Sequence, residues 1–101
     1  HPQGTGKKPT LQDELRLLGE ARAALAEHLP RRALARLDEL ERSVPNPALG
    51  EEALATRVLA TCAAGRVTDA QAQRARFLTQ YPTSPLVTRV TAACATKPAT
   101  P

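Results

Sequence analysis

The chain contains no methionine, no tryptophan and no isoleucine, and its aromatics are Phe77 and Tyr81. A β-sandwich or barrel builds its strands from alternating Val, Ile, Thr and aromatic residues, so this inventory excludes one. No run approaches the roughly 18 apolar residues of a membrane span, so no insertion by this segment is expected. Without an initiating Met, the chain is expected to be a piece of a longer or processed product. Cys62 and Cys94 cannot by themselves fill a tetrahedral zinc site, and His28 is the sole histidine beyond residue 1. There is no Ser/His/Asp arrangement, no glycine-rich phosphate loop and no HExxH. Glu51 and Glu52 are adjacent, so they point in different directions and make no acid/base pair. No enzyme activity, cofactor or metal is expected.

Charge is nearly balanced where it matters. The formal net charge is +4, but Lys7, Lys8 and Lys97 lie in the terminal segments. Between Thr10 and Ala95, 11 arginines face 10 acids. Duplex binding draws most of its affinity from a basic face, so nucleic acid is not the expected partner. The alternative would set Arg57, Arg66, Arg74 and Arg76 on phosphates. Arg31, Arg32 and Arg36 are followed closely by Asp38, Glu39 and Glu41, a solvated mixed face. His28 falls where a helix C-terminus would favour it; a pH switch or a metal ligand is the sharper alternative. Arginine outnumbers lysine 11 to 3, which points to GC-rich codons and a GC-rich bacterial genome.

What is abundant is helix-forming: 19 alanines and 14 leucines. Periodicity predicts five helices. The first covers 11–29, with a Thr10–Asp13 capping box and a stripe of Leu11, Leu15, Leu18, Leu25 and Leu29 beside Ala21. The second starts at Pro30, buries Ala33, Leu34, Leu37 and Leu40, and ends near Val44. The third takes Asn46 as N-cap and Pro47 as first residue, carries Leu49, Leu54, Val58, Leu59 and Cys62, and stops before Gly65. The fourth opens on a Thr68–Gln71 capping box, buries Ala70, Ala75, Phe77 and Leu78, and ends at Tyr81–Pro82. The fifth has Ser84 as N-cap and Pro85 next, with Leu86, Val87, Val90 and Cys94 as its apolar side. Residues 1–9 read as a flexible linker, 10–95 as the domain and 96–101 as a flexible tail.

An offset of 37 residues superposes the two halves. It places Leu17 on Leu54, Ala21 on Val58, Leu25 on Cys62, His28 on Gly65, Ala33 on Ala70, Leu40 on Phe77 and Pro45 on Pro82. Leu37 on Arg74 is a mismatch, which suggests a groove or an open edge at Arg74. Gly65 at a turn, Ala70 on the following helix and Pro82 at its end resemble the landmarks of the tetratricopeptide repeat; the first unit keeps Ala33 and Pro45. A glycine lets the chain reverse, a small alanine lets two helices approach, and a proline ends the second helix.

The string Gly65–Arg66–Val67, Ala70, Phe77–Leu78 and Tyr81–Pro82–Thr83–Ser84–Pro85 is similar to repeats of bacterial envelope proteins. These include outer-membrane assembly lipoproteins of the BamD family and periplasmic TolA-binding proteins. It also resembles the extracytoplasmic C-terminal domains of myxobacterial-type membrane regulators, as does the spacing of the two cysteines. The resemblance implies an all-α fold: two tetratricopeptide-like helical hairpins plus a C-terminal capping helix, a five-helix right-handed stack. In such a stack Cys62 and Cys94 lie late on parallel neighbouring helices, within reach of a bridge. A disulfide is the preferred reading and two packed thiols the alternative. The implied function is a protein-interaction module in the periplasm, tethered to the membrane through its parent chain. A protein or peptide would lie in the concave groove, on Leu18, Arg22, Leu25, Ala55, Leu59 and Arg66. A homodimer through the first or fifth helix is a further expectation.

Overall fold

Thr10 opens the first helix as its capping box predicts. Its Oγ1 accepts from the Asp13 amide at 3.2 Å, and Asp13 Oδ2 accepts from the Thr10 amide at 2.8 Å. The computed structural model describes residues 10–94. Five helices follow in order: α1 Leu11–Ala26, α2 Pro30–Ser43, α3 Gly50–Ala63, α4 Val67–Gln80 and α5 Val87–Ala92. The protein is all-α, with no strand among the described residues. The expected linker 1–9 and tail 96–101 lie outside the described residues. Helix α1 packs on α2 and α3, and α3 also packs on α2, α4 and α5, so α3 is the central element.

The core is built from small side chains. Leu18, Ala21 and Ala24 of α1 meet Ala33, Leu34 and Leu37 of α2, with Ala60 of α3. Leu17, Leu40 and Val44 form a smaller cluster at one end of that pair. Leu54, Ala55 and Val58 of α3 meet Phe77 of α4 and Val90 and Ala93 around α5. Ala33 and Ala70 are both fully enclosed, as close helix approach demands. Pro45 and Pro82 each follow their helix by one intervening residue, Val44 and Tyr81. Without a backbone N–H, neither proline can extend the hydrogen-bond ladder.

Several details differ from the sequence expectation, each for a local reason. Helix α1 stops at Ala26, and Leu11, Leu15 and Leu29 are exposed; Leu17 and Ala24 take the core positions instead. The predicted stripe followed a seven-residue spacing, whereas the buried face has neighbours on two sides, α2 and α3. The third helix starts at Gly50, three residues later than Pro47, because 47–50 close a turn with the Gly50 amide donating to the Pro47 carbonyl at 3.3 Å. Thr68 caps nothing: α4 begins at Val67, so Thr68 is already inside the helix. Ala75 and Leu78 are exposed. Ser84 does not cap α5 directly; its Oγ accepts from the Leu86 amide at 2.9 Å, ordering the turn before a helix of six residues. Cys94 follows α5 rather than lying on it.

Both hairpins turn in the same way. The His28 amide donates to the Leu25 carbonyl at 3.0 Å and the Leu29 amide to the Ala24 carbonyl at 2.8 Å. The amides of Gly65 and Arg66 do the same to Cys62 and Thr61, at 2.9 and 3.1 Å. These are Schellman closures, which need a left-handed residue after the helix. His28 has φ 64° and Gly65 φ 82°. His28 therefore has a backbone role, in a conformation that a β-carbon disfavours. His28→Gly is expected to raise stability by about 1 kcal/mol, and Gly65→Ala to lower it by about 1 kcal/mol. Thermal melts of both variants check the opposite signs; a loss of stability in His28→Gly would refute the assignment.

Candidate partner face, carboxylate clamps and the cysteine pair

Leu11, Leu15, Leu18, Arg22 and Leu25 recur at alternating spacings of four and three, which places them along one side of α1. The opposite flank borders α2. Glu20, Ala23, Ala24 and Glu27 face Arg32 and Arg36 of α2 across a cavity of about 360 Å³. Arg36 Nη1 lies 2.9 Å from Glu39 and 4.0 Å from Glu20 there. On the leucine side nothing among the described residues covers the start of the helix. Leu11 is 52% exposed and Leu15 53%.

The six expected partner residues divide three ways. Leu18 and Ala55 are 3% and 4% exposed, so they serve the core and offer a partner no surface. Leu25 packs against the α1–α2 core and Leu59 against the α3–α4 core, both still partly exposed. Arg22 and Arg66 are exposed. Leu18 and Leu25 thus meet in one cluster, and Ala55 and Leu59 in the other. Leu11 and Leu15, expected in the core from their spacing, are exposed, because the buried side of α1 runs through Glu14, Leu17, Ala21 and Ala24.

The four arginines of the nucleic-acid alternative also part company. Arg57 Nη2 sits 2.9 Å from Asp38 and 3.5 Å from Glu41 of α2. Arg74 Nη1 donates to the Thr91 carbonyl at 3.3 Å, so the mismatch with Leu37 ties α4 to the end of α5. Arg76 lines a cavity of about 420 Å³ with Leu40, Pro47, Arg57 and Tyr81. Half of the set is therefore consumed inside the protein.

Compared with protein-family models, curated proteins and solved structures, the chain matches none. Among the described residues no group of three or more His, Cys, Asp or Glu could hold a metal ion. No described helix is long and apolar enough to cross a membrane.

Two carboxylates perform a task that sequence reasoning missed. Glu14 is 6% exposed on α1, and its Oε1 accepts from the Leu49 amide at 3.0 Å, just ahead of α3. Glu51 Oε2 accepts from Ser84 Oγ, and that oxygen in turn accepts from the Leu86 amide ahead of α5. Each acid reaches forward to the start of a later helix, where the helix itself supplies no acceptor: Glu14 takes the amide directly, and Glu51 holds the serine hydroxyl that takes it. The signal was present: the 37-residue offset carries Glu14 onto Glu51 and Leu49 onto Leu86. It was hidden because acids in a first helical turn also serve the helix dipole. Glu14→Ala should cost about 1–3 kcal/mol by leaving the Leu49 amide without its partner, whereas Glu14→Gln keeps an acceptor and should cost under about 1 kcal/mol. Urea titration of the two variants tests this; equal losses would refute the clamp.

Cys62 and Cys94, 32 residues apart, lie at disulfide distance, with Cα atoms 5.2 Å apart. Neither is buried outright.

Proposed function

We propose that this domain is a protein-interaction module whose partner lies along the leucine side of α1. The carrying observation is the pair Leu11 and Leu15, both about half exposed in a domain whose other leucines mostly supply the core. With Arg22 and the partly exposed Leu25 they line one side of α1, interrupted at the buried Leu18, and an apolar face of a partner segment can match the Leu11–Leu15 end. Arg22, and Arg66 after α3, would suit acidic residues flanking that face. The arrangement we favour is tetratricopeptide-like, two hairpins and a capping helix, because helix ends, Schellman turns and carboxylate clamps all recur at the 37-residue offset. A cysteine pair at disulfide distance fits an extracytoplasmic, membrane-tethered setting in a bacterial envelope.

The nucleic-acid alternative is disfavoured by the internal pairing of Arg57 and Arg74. The test uses Leu15, whose replacement touches no core. A photo-crosslinker placed at Gln12 should capture a partner from envelope extract, and Leu15→Glu should abolish that capture by tenfold or more without lowering the melting temperature. Capture that is indifferent to Leu15→Glu and to Arg22→Glu would sink the reading. Concentration-dependent sedimentation of the purified domain, lost in Leu15→Glu, would identify the partner as a second copy.

A further inference from the structure

The chain beyond α4 has few resources of its own. Helix α5 has six residues, too few to persist in isolation. Its docking rests on Val90, fully buried, on Ala93 just after the helix, and on the partly buried Leu86 and Val87 at its start, in one cluster with Phe77 and Val58. The exposed Arg74–Thr91 hydrogen bond adds little, and the Glu51–Ser84 contact holds the turn ahead of α5 rather than α5 itself. After the helix, Cys94 has φ 65°, a left-handed conformation that a residue with a β-carbon adopts only against a steric cost. It lies at disulfide distance from Cys62, next to the last residue of α3. Both cysteines are partly exposed, so a small dithiol can reach them.

We propose that α5 is a redox-controlled latch. The Cys62–Cys94 disulfide holds α5 over the α3–α4 core, and reduction by a dithiol opens it while α1–α4 remain folded. The exchange balances. A thiolate of the dithiol attacks one sulfur of the bridge, and the other sulfur leaves and takes a proton. The second sulfur of the dithiol then displaces the remaining cysteine from the mixed disulfide. Two cysteine thiols and one oxidised dithiol result, with two electrons and two protons passed to the protein. Once released, Cys94 relaxes out of its left-handed conformation, and the buried Val90 and Ala93 with the half-buried Leu86 and Val87 are left to hold the segment in place. Opening uncovers Leu54, Val58 and Phe77, an apolar surface separate from the Leu11–Leu15 stripe. The latch is independent of the partner assigned to that stripe.

Hydrogen exchange read by mass spectrometry tests it on the full chain, purified without reductant and then treated with dithiothreitol. Amides over 86–94 should exchange at least tenfold faster after reduction, while those of α1 and α2 change little. The double variant Cys62→Ser/Cys94→Ser should show the reduced pattern with no reductant present. Unchanged protection over 86–94 after reduction would overturn the latch, because packing alone would then hold α5. Loss of protection throughout α1 and α2 would overturn it too, making the bridge a staple of the whole domain. Two freely alkylated thiols in the air-oxidised protein would remove the bridge and the proposal with it.

Discussion

Replacing Phe77 by alanine is expected to remove about 3–5 kcal/mol of stability, the largest single effect available in this chain. Phe77 is completely buried and is the only phenylalanine. It fills the space where α3, α4 and α5 meet, against Leu54, Val58 and Val90, and its ring centroid lies 5.2 Å from that of Tyr81. The cost follows from the neighbours: around it stand Ala55 and Ala93, too short to collapse into the space an alanine would leave. Phe77→Leu copies the residue that the 37-residue offset places opposite it, Leu40, and should cost under about 1.5 kcal/mol. Urea unfolding followed by far-UV circular dichroism separates the two. A loss below about 1 kcal/mol in Phe77→Ala would mean that the second core cluster contributes far less than its burial implies.

Loss of the Cys62–Cys94 bridge is the second large effect, about 3–4 kcal/mol for a closed segment of 32 residues. The stabilisation acts on the unfolded chain, whose freedom the bridge restricts, and so it does not depend on the quality of native packing. A domain of this size has on the order of 5–10 kcal/mol in all, so the reduced protein stays folded at room temperature but melts earlier. The same titration reports on the latch. If α5 is already free in the reduced protein, less surface remains to be exposed on unfolding, and the denaturant slope falls along with the midpoint. An unchanged midpoint on reduction would show that no bridge had formed.

These two residues mark where sequence and tertiary structure each carry the information. Phe77 and Cys62 both sit at positions that the 37-residue offset aligns with a leucine of the first half, Leu40 and Leu25. Five helices, their order and the proline stops are local properties. They follow from periodicity, from the missing N–H of proline and from the Thr10–Asp13 cap, all of which act within a few residues. Fine boundaries were less legible. Pro47 and Pro85 suit a first helical turn equally well as a turn ahead of a helix, and each helix waits for an amide to be held. For α3 that amide is held by Glu14, 35 residues upstream, and no window of local sequence contains both ends of such a bond.

By itself, then, the amino-acid order determined an all-α chain of five helices, a near-neutral helical region and the spacing that pairs one half with the other. Tertiary structure alone decided which leucines of α1 face solvent. Leu11, Leu15, Leu18 and Leu25 share one side by spacing, yet Leu18 is buried and Leu15 is not: around the helix Leu18 lies nearer the side that Glu14, Leu17 and Ala21 turn to the neighbouring helices. It likewise decided that Arg57 and Arg74 are spent on Asp38, Glu41 and the Thr91 carbonyl. A helix's periodicity says which residues share a face; which part of that face is covered depends on where the next helix crosses it, and crossings are set by packing between distant segments.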